Sequence, residues 1–169
     1  AASAPAIALF AQTMLATAFL AMNHAIYLLY NSTTKRHSLY FYGPLFAIML
    51  IAAFQANVSR LVDAAPGQLA ELESIGLDLF TLLLVFVCYA VLPQRVGQSL
   101  TYKIGLAAFF TAHLAGLANR YMLDEPAIAL IAAELYVPIV YYLSLFFLLL
   151  ERTVELMQAS YKSAITDGL

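Results

Sequence analysis

Residues 127–150 read A-I-A-L-I-A-A-E-L-Y-V-P-I-V-Y-Y-L-S-L-F-F-L-L-L, and this stretch decides the fold. It carries a single charge, Glu134, and is continuously apolar. Such a run is long enough for a helix to cross the bilayer, which takes ~20 residues for ~30 Å of hydrocarbon. The alternation in units of ~10 residues that marks a membrane β-strand is missing. Four upstream segments have the same character: 6–30, 39–57, 76–92 and 104–122. The expected class is an all-α integral membrane protein with five transmembrane helices. The first segment is too long for a signal-peptide core and no basic residue precedes it, so it is read as retained.

Composition points the same way. Hydrophobic residues make up 63% of the chain and charged residues 11%, against about half and a quarter in soluble domains. So few charges cannot cover a water-facing surface, and the solvent must be lipid. The net charge of −2 excludes a strongly basic nucleic-acid surface. The single Cys88 lies inside an apolar run and reads as a small packing residue. Trp is absent, so an interfacial aromatic belt has to come from the 11 tyrosines.

The charges sort by side. The 31–38 loop carries Lys35 and Arg36, the 93–103 loop Arg95 and Lys103, and the C-terminal tail Arg152 and Lys162. The alternate loops are acidic, with Asp63, Glu71 and Glu73 against Arg60 in 58–75, and Asp124 and Glu125 in the 123–126 turn. Six of the eight basic residues thus share one side, and the positive-inside rule makes that side cytoplasmic. The N-terminus is expected outside and the C-terminus inside. The 58–75 loop has a Pro66-Gly67 turn signal and an amphipathic stretch at 68–74 suited to a small surface helix. No internal repeat is evident, and five spans do not divide into the equal halves of an inverted-repeat transporter.

Polar residues inside the spans are the functional candidates, because burying them in lipid is costly. Most gather toward the expected outer side: Gln12, Asn57, Arg60, Asp78, Asn119, Arg120 and Glu134, with His113 deeper. Helical spacing aligns His113, Gly116 and Arg120; Glu134, Pro138, Tyr141 and Tyr142; and Met49, Ala53, Asn57 and Arg60. A bundle turning these faces inward would hold an outward-opening polar cavity, with Asp78 and Glu134 pairing with Arg60 and Arg120. The plainer reading of Arg60, Asp78 and Arg120 is snorkelling to the headgroups. Glu134 lies ~10 Å deep by rise per residue and is expected to be paired inside the bundle. Pro138, one turn on, removes a backbone bond and is the candidate hinge.

His24 and His113 lie in different spans, an arrangement that can ligate haem or a metal. Their depths differ by about three residues, ~5 Å, on helices running in opposite directions. The competing reading is two histidines each hydrogen-bonded to a neighbouring helix. His37, in a basic loop, is expected to be solvated. No Cys-x-x-Cys, His-Glu-x-x-His, Gly-x-Ser-x-Gly or P-loop pattern occurs, so no catalytic residue, metal or cofactor is assigned.

Beyond the last span, Leu150, Val154, Met157, Tyr161 and Ala164 follow spacings of four, three, four and three, a heptad seam. Glu151, Arg152, Glu155, Gln158 and Lys162 fill the positions expected to be exposed. Two protomers could pair along the seam as a parallel coiled coil; one chain alone could dock it on itself.

The chain closes on I-T-D-G-L, residues 165–169. This resembles the opening of a GGDEF (diguanylate cyclase) domain, T-D-x-L-T-G-L-x-N-R-R, through Thr166, Asp167 and Leu169, and stops before T-G-L. The resemblance covers about five residues, at the point where a membrane sensor hands over to a cytoplasmic cyclase. It implies a membrane-associated sensor domain (MASE-like) spanning 1–150, a signalling-helix linker over 151–165, and the start of a cyclase domain at 166–169. It further implies a homodimer in a bacterial inner membrane, answering a small-molecule or lipid-like ligand from outside by helix rearrangement, with catalysis lying outside this stretch. Two other classes stay open: a small integral subunit of a redox complex, carrying haem through His24 or His113, and a small transporter or channel.

Overall fold

The computed structural model describes residues 4–31, 37–62, 75–97 and 99–168. Within these the chain forms five α-helices: α1 (Ala4–Tyr30), α2 (His37–Val62), α3 (Ile75–Val91), α4 (Ser99–Tyr121) and α5 (Ile128–Asp167). A 3-10 turn at Pro93–Arg95 follows α3, and no strand occurs among the described residues. Four helices contain runs long and apolar enough to cross a membrane, namely Ala6–Tyr30, Ser38–Asn57, Leu100–Tyr121 and Ile128–Asp167. The fifth, Ile75–Val91, is apolar but has 17 residues, the short limit for a span. Lys35, Arg36, Pro66, Gly67 and the helix expected at 68–74 lie outside the described residues, as do Leu169 and the side chains of His37 and Arg60.

One boundary differs from expectation, and one agrees with it. The loop expected over 93–103 is shorter, because α4 begins at Ser99 and takes Lys103 into its second turn. The last span and the linker helix form one element, with α5 running unbroken for 40 residues through Pro138. Pro138 cannot bond the carbonyl of Glu134, but one lost bond in so long an apolar helix loosens it without ending it.

Each helix buries one stripe. In α1 this is Ala16, Phe19, Leu20, Asn23 and Ile26; in α4 it is Tyr102, Leu106, Phe109, His113 and Leu117; in α5 it is Tyr141, Leu145 and Leu148. These recur at three- and four-residue intervals, one face of a helix. Phe109 lies 4.9 Å, ring centre to ring centre, from both Phe19 and Tyr141. The aromatic core therefore joins α1, α4 and α5. Lipid tails are as apolar as leucine, so association here rests on close packing and polar contacts. Two glycines on one face of α4 allow close approach to α5: a Cβ on Gly105 would sit 3.3 Å from the Tyr141 ring, and one on Gly116 would overlap the Glu134 carboxyl. The opposite faces carry exposed Phe46, Phe54, Phe86 and Phe147. Patches of that kind are a liability in water and are what a lipid-solvated surface requires.

The stripe Met49, Ala53, Asn57 and Arg60 does not turn inward as expected. Met49 and Asn57 are exposed, and the Asn57 amide bonds its own helix at Ala53 O. The packed face of α2 is instead the one bearing Ile48 and Gln55, and residue 57 sits ~200° round the helix from residue 55.

Candidate functional site

Asp78 stands in the first turn of α3, where the helix dipole favours a carboxylate. The α3 N-terminus is held from α2, where the Gln55 side-chain oxygen accepts the Leu77 N–H at 3.0 Å. Around the buried Asp78 two other helices converge. Gln12 of α1 donates from Nε2 to Oδ2 at 3.1 Å. His113 of α4 brings Nε2 to 3.7 Å from Oδ1 and 3.3 Å from the Asp78 carbonyl oxygen. Arg120, two turns along α4, places Nη2 3.6 Å from Oδ2.

The same Nη2 lies 3.1 Å from Oε1 of Glu134, which reaches in from α5. Both acids expected to pair with separate arginines thus share one. Glu134 is the closer partner of Arg120 and also the accessible one: its side chain is 32% exposed against 3% for Asp78. Gly116 makes the pairing possible by leaving space for the Glu134 carboxyl, while its carbonyl accepts Arg120 Nε at 3.3 Å. Two acidic side chains thus face one guanidinium at an end of the bundle, in a setting where desolvated charge is costly. A cationic group, or a ligand that competes for Arg120, would act first on the Arg120–Glu134 arm.

The other sequence candidates fall elsewhere. Asn119 is buried but turned to the α4–α5 connection, where Oδ1 accepts the Ala127 N–H at 2.8 Å. Asn57 lies outside the cluster, and the Arg60 side chain is outside the described residues. Gln12, Asp78, His113, Arg120 and Glu134 gather directly onto one another. The His24 ring packs against Phe41 at 4.8 Å, whereas His113 stacks on Phe109 at 6.4 Å and faces Asp78. No grouping of three His, Cys, Asp or Glu suited to a metal occurs among the described residues. Leu150, Val154, Met157 and Tyr161 are all exposed. Arg152, expected to be exposed as well, is not: its Nε donates to Leu29 O at 3.1 Å and its guanidinium covers the Tyr30 ring at 4.8 Å. The free carbonyls at the end of α1 draw it in.

A second polar layer was not anticipated. Asn23 is buried, donates to Phe19 O at 2.8 Å, and its Oδ1 accepts the hydroxyls of Tyr102 and, at 3.1 Å, Tyr141. Along α1 it lies eleven residues from Gln12, ~16 Å. The cost of burying polar groups in lipid, which singles out Glu134, applies equally to Asn23 and Gln55 and would have found both.

The role of Gly116 can be tested by sign. Replacing glycine by alanine inside a helix ordinarily stabilises by ~0.5–1 kcal/mol. Gly116→Ala is expected instead to destabilise by ~1–3 kcal/mol, as overpacked sites do, and Glu134→Ala in the same chain should recover most of the loss. Gly43→Ala, with nothing within 4 Å of its Cβ, is the reference. Unfolding in detergent micelles measures all three; stabilisation by Gly116→Ala would mean that Glu134 does not rest there.

Compared with known protein families, curated proteins and solved structures, the chain matches none.

Proposed function

We propose that the chain is a membrane sensory module that passes a signal along α5 to a cytoplasmic output of the diguanylate cyclase type. The supporting observation is the course of α5. At one end it carries Glu134 into the Asp78–Arg120 cluster, and at the other it leaves the bundle as an exposed helix. At 1.5 Å per residue it is a rod of ~60 Å. In this reading all five helices span a bacterial inner membrane, with the N-terminus outside and the C-terminus in the cytoplasm. The charged cluster then faces outward as the input site for a small-molecule or lipid-like ligand.

The two sides of α5 suit the two tasks. Tyr141, Leu145 and Leu148 are buried against the bundle, while Leu143, Phe147, Leu150 and Val154 are exposed. Residues two apart differ by ~200°, so the heptad seam points away from the chain's own bundle. That orientation supports a parallel homodimer with both bundles outside the seam, over docking of the seam on its own domain. A ligand with different affinity for the paired and unpaired states of Arg120 and Glu134 shifts the population of α5 positions, and Pro138 lies one turn from Glu134 to absorb the change.

Two measurements test this. In a Cys88→Ser background, single cysteines at Val154 or Met157 should cross-link between protomers several-fold faster than one at Glu155. Equal rates would remove the seam. The reading frame beyond Leu169 should continue as T-G-L-x-N-R; a different continuation removes the cyclase output and leaves the membrane module.

A further inference from the structure

At the end of the bundle opposite Asp78, α1, the turn after α3 and α5 line an open, shallow cavity of about 520 Å³, with Tyr30, Gln94, Arg95, Gly97, Arg152 and Glu155 among its walls. Its frame is fixed. Pro93 and Val96 are buried on either side of Arg95, and the Arg95 carbonyl accepts Asn31 Nδ2 from α1 at 3.3 Å. The Arg152 head is held by Leu29 O and the Tyr30 ring. Nη1 of Arg152 meets Glu155 Oε2 at 3.1 Å, leaving Nη2 as a further donor. Arg95 is exposed and makes no ion pair among the described residues.

We propose that this cavity is a binding site for a phosphate-bearing anion, with a phospholipid headgroup as its source. Two guanidiniums and the Gln94 amide offer several N–H donors, and arginine's planar fork suits phosphate oxygens. Glu155 is the resident carboxylate that the phosphate displaces from Arg152. The level is that of a headgroup, because Arg152 follows the apolar run of α5 by two residues. Filling the site releases the Arg152–Glu155 contact where α5 leaves the bundle, next to Val154. The proposal does not depend on which output α5 drives.

The test uses the full chain in a neutral detergent, with lipid binding followed by native mass spectrometry. Phosphatidylglycerol should bind at least tenfold more tightly than diacylglycerol, which has the same tails without phosphate. Arg95→Gln should weaken the tightest phosphatidylglycerol site by about tenfold, the worth of ~1.4 kcal/mol. Glu155→Gln should tighten it several-fold by removing the competing carboxylate, and Lys162→Gln should leave it unchanged. Melting temperature in lipid-free detergent separates lost binding from lost folding. If millimolar inorganic phosphate displaces the lipid, the site accepts phosphate from solution as well; if it does not, the lipid alone is the ligand. Equal binding of the two lipids, or a site indifferent to both Arg95→Gln and Glu155→Gln, overturns the proposal.

Discussion

Asp78→Ala should destabilise the bundle by about 3 kcal/mol, the low end of what breaking a buried ion pair costs. The carboxylate is the common partner of Gln12, His113 and Arg120, which come from α1 and α4. Removing it leaves the Gln12 amide without its acceptor, takes the acid away from His113, which keeps the residue-78 backbone carbonyl, and leaves Arg120 with Glu134 and the Gly116 carbonyl. Single hydrogen bonds between membrane helices contribute less, ~0.6 kcal/mol on average with ~1.7 as an upper value, so the size of the effect distinguishes a shared hub from one bond. Asp78→Asn keeps the shape and a partner for Gln12, and should cost about 1 kcal/mol. Glu134→Gln should cost less still, because Glu134 is partly exposed and exposed pairs contribute ~0–1 kcal/mol. Denaturant titration in mixed micelles ranks the three. If Asp78→Ala and Glu134→Gln prove equal, Asp78 is not the centre of the cluster.

Asn23→Ala should be of similar size, about 2–4 kcal/mol, for a different reason. Its side-chain oxygen accepts two tyrosine hydroxyls in the interior, and each buried donor left without a partner costs ~1–3 kcal/mol. Tyr102→Phe or Tyr141→Phe removes one donor and leaves Asn23 bonded to the other, so each should cost about 1 kcal/mol. The informative chain combines Asn23→Leu with both Tyr→Phe changes. Replacing every polar member by an apolar one can be nearly neutral, so this triple variant should be more stable than Asn23→Ala alone. A triple variant less stable than the single one would mean that the layer contributes net attraction instead of merely satisfying itself.

The helical class was legible because hydrocarbon leaves the backbone little choice. A long, continuously apolar run must bond its own amides, and only a helix does so within one segment. That argument needs no partner, and all five apolar runs are helical, four of them in helices long enough to cross a membrane. The ends were less evenly legible: α4 starts five residues before its apolar run, whereas the heptad past Leu150 already marked the continuation of α5 to Asp167. Polar residues extend a helix readily once the apolar part has nucleated it. The heptad spacing of 150–164 is likewise a property of the sequence alone, and its exposure in the structure leaves that pattern intact.

Which polar residues meet was decided only by tertiary structure. Sequence spacing assigns a residue to a face of its own helix; it does not set the rotation of that helix against its neighbours. Asn57 and Gln55 are two residues apart, yet α2 turns Gln55 inward and Asn57 outward. Arg120 could reach one acid or two, and the glycine at 116 settles it by letting α5 approach until Glu134 lies against α4. Arg152 reads as a solvated seam flank until the end of α1 is seen beside it. The composition and period of this chain determine that it is a set of apolar helices with a few costly polar residues. The rotation and close approach of those helices, set by small residues and side-chain packing across α1, α4 and α5, decide which of those residues share a site.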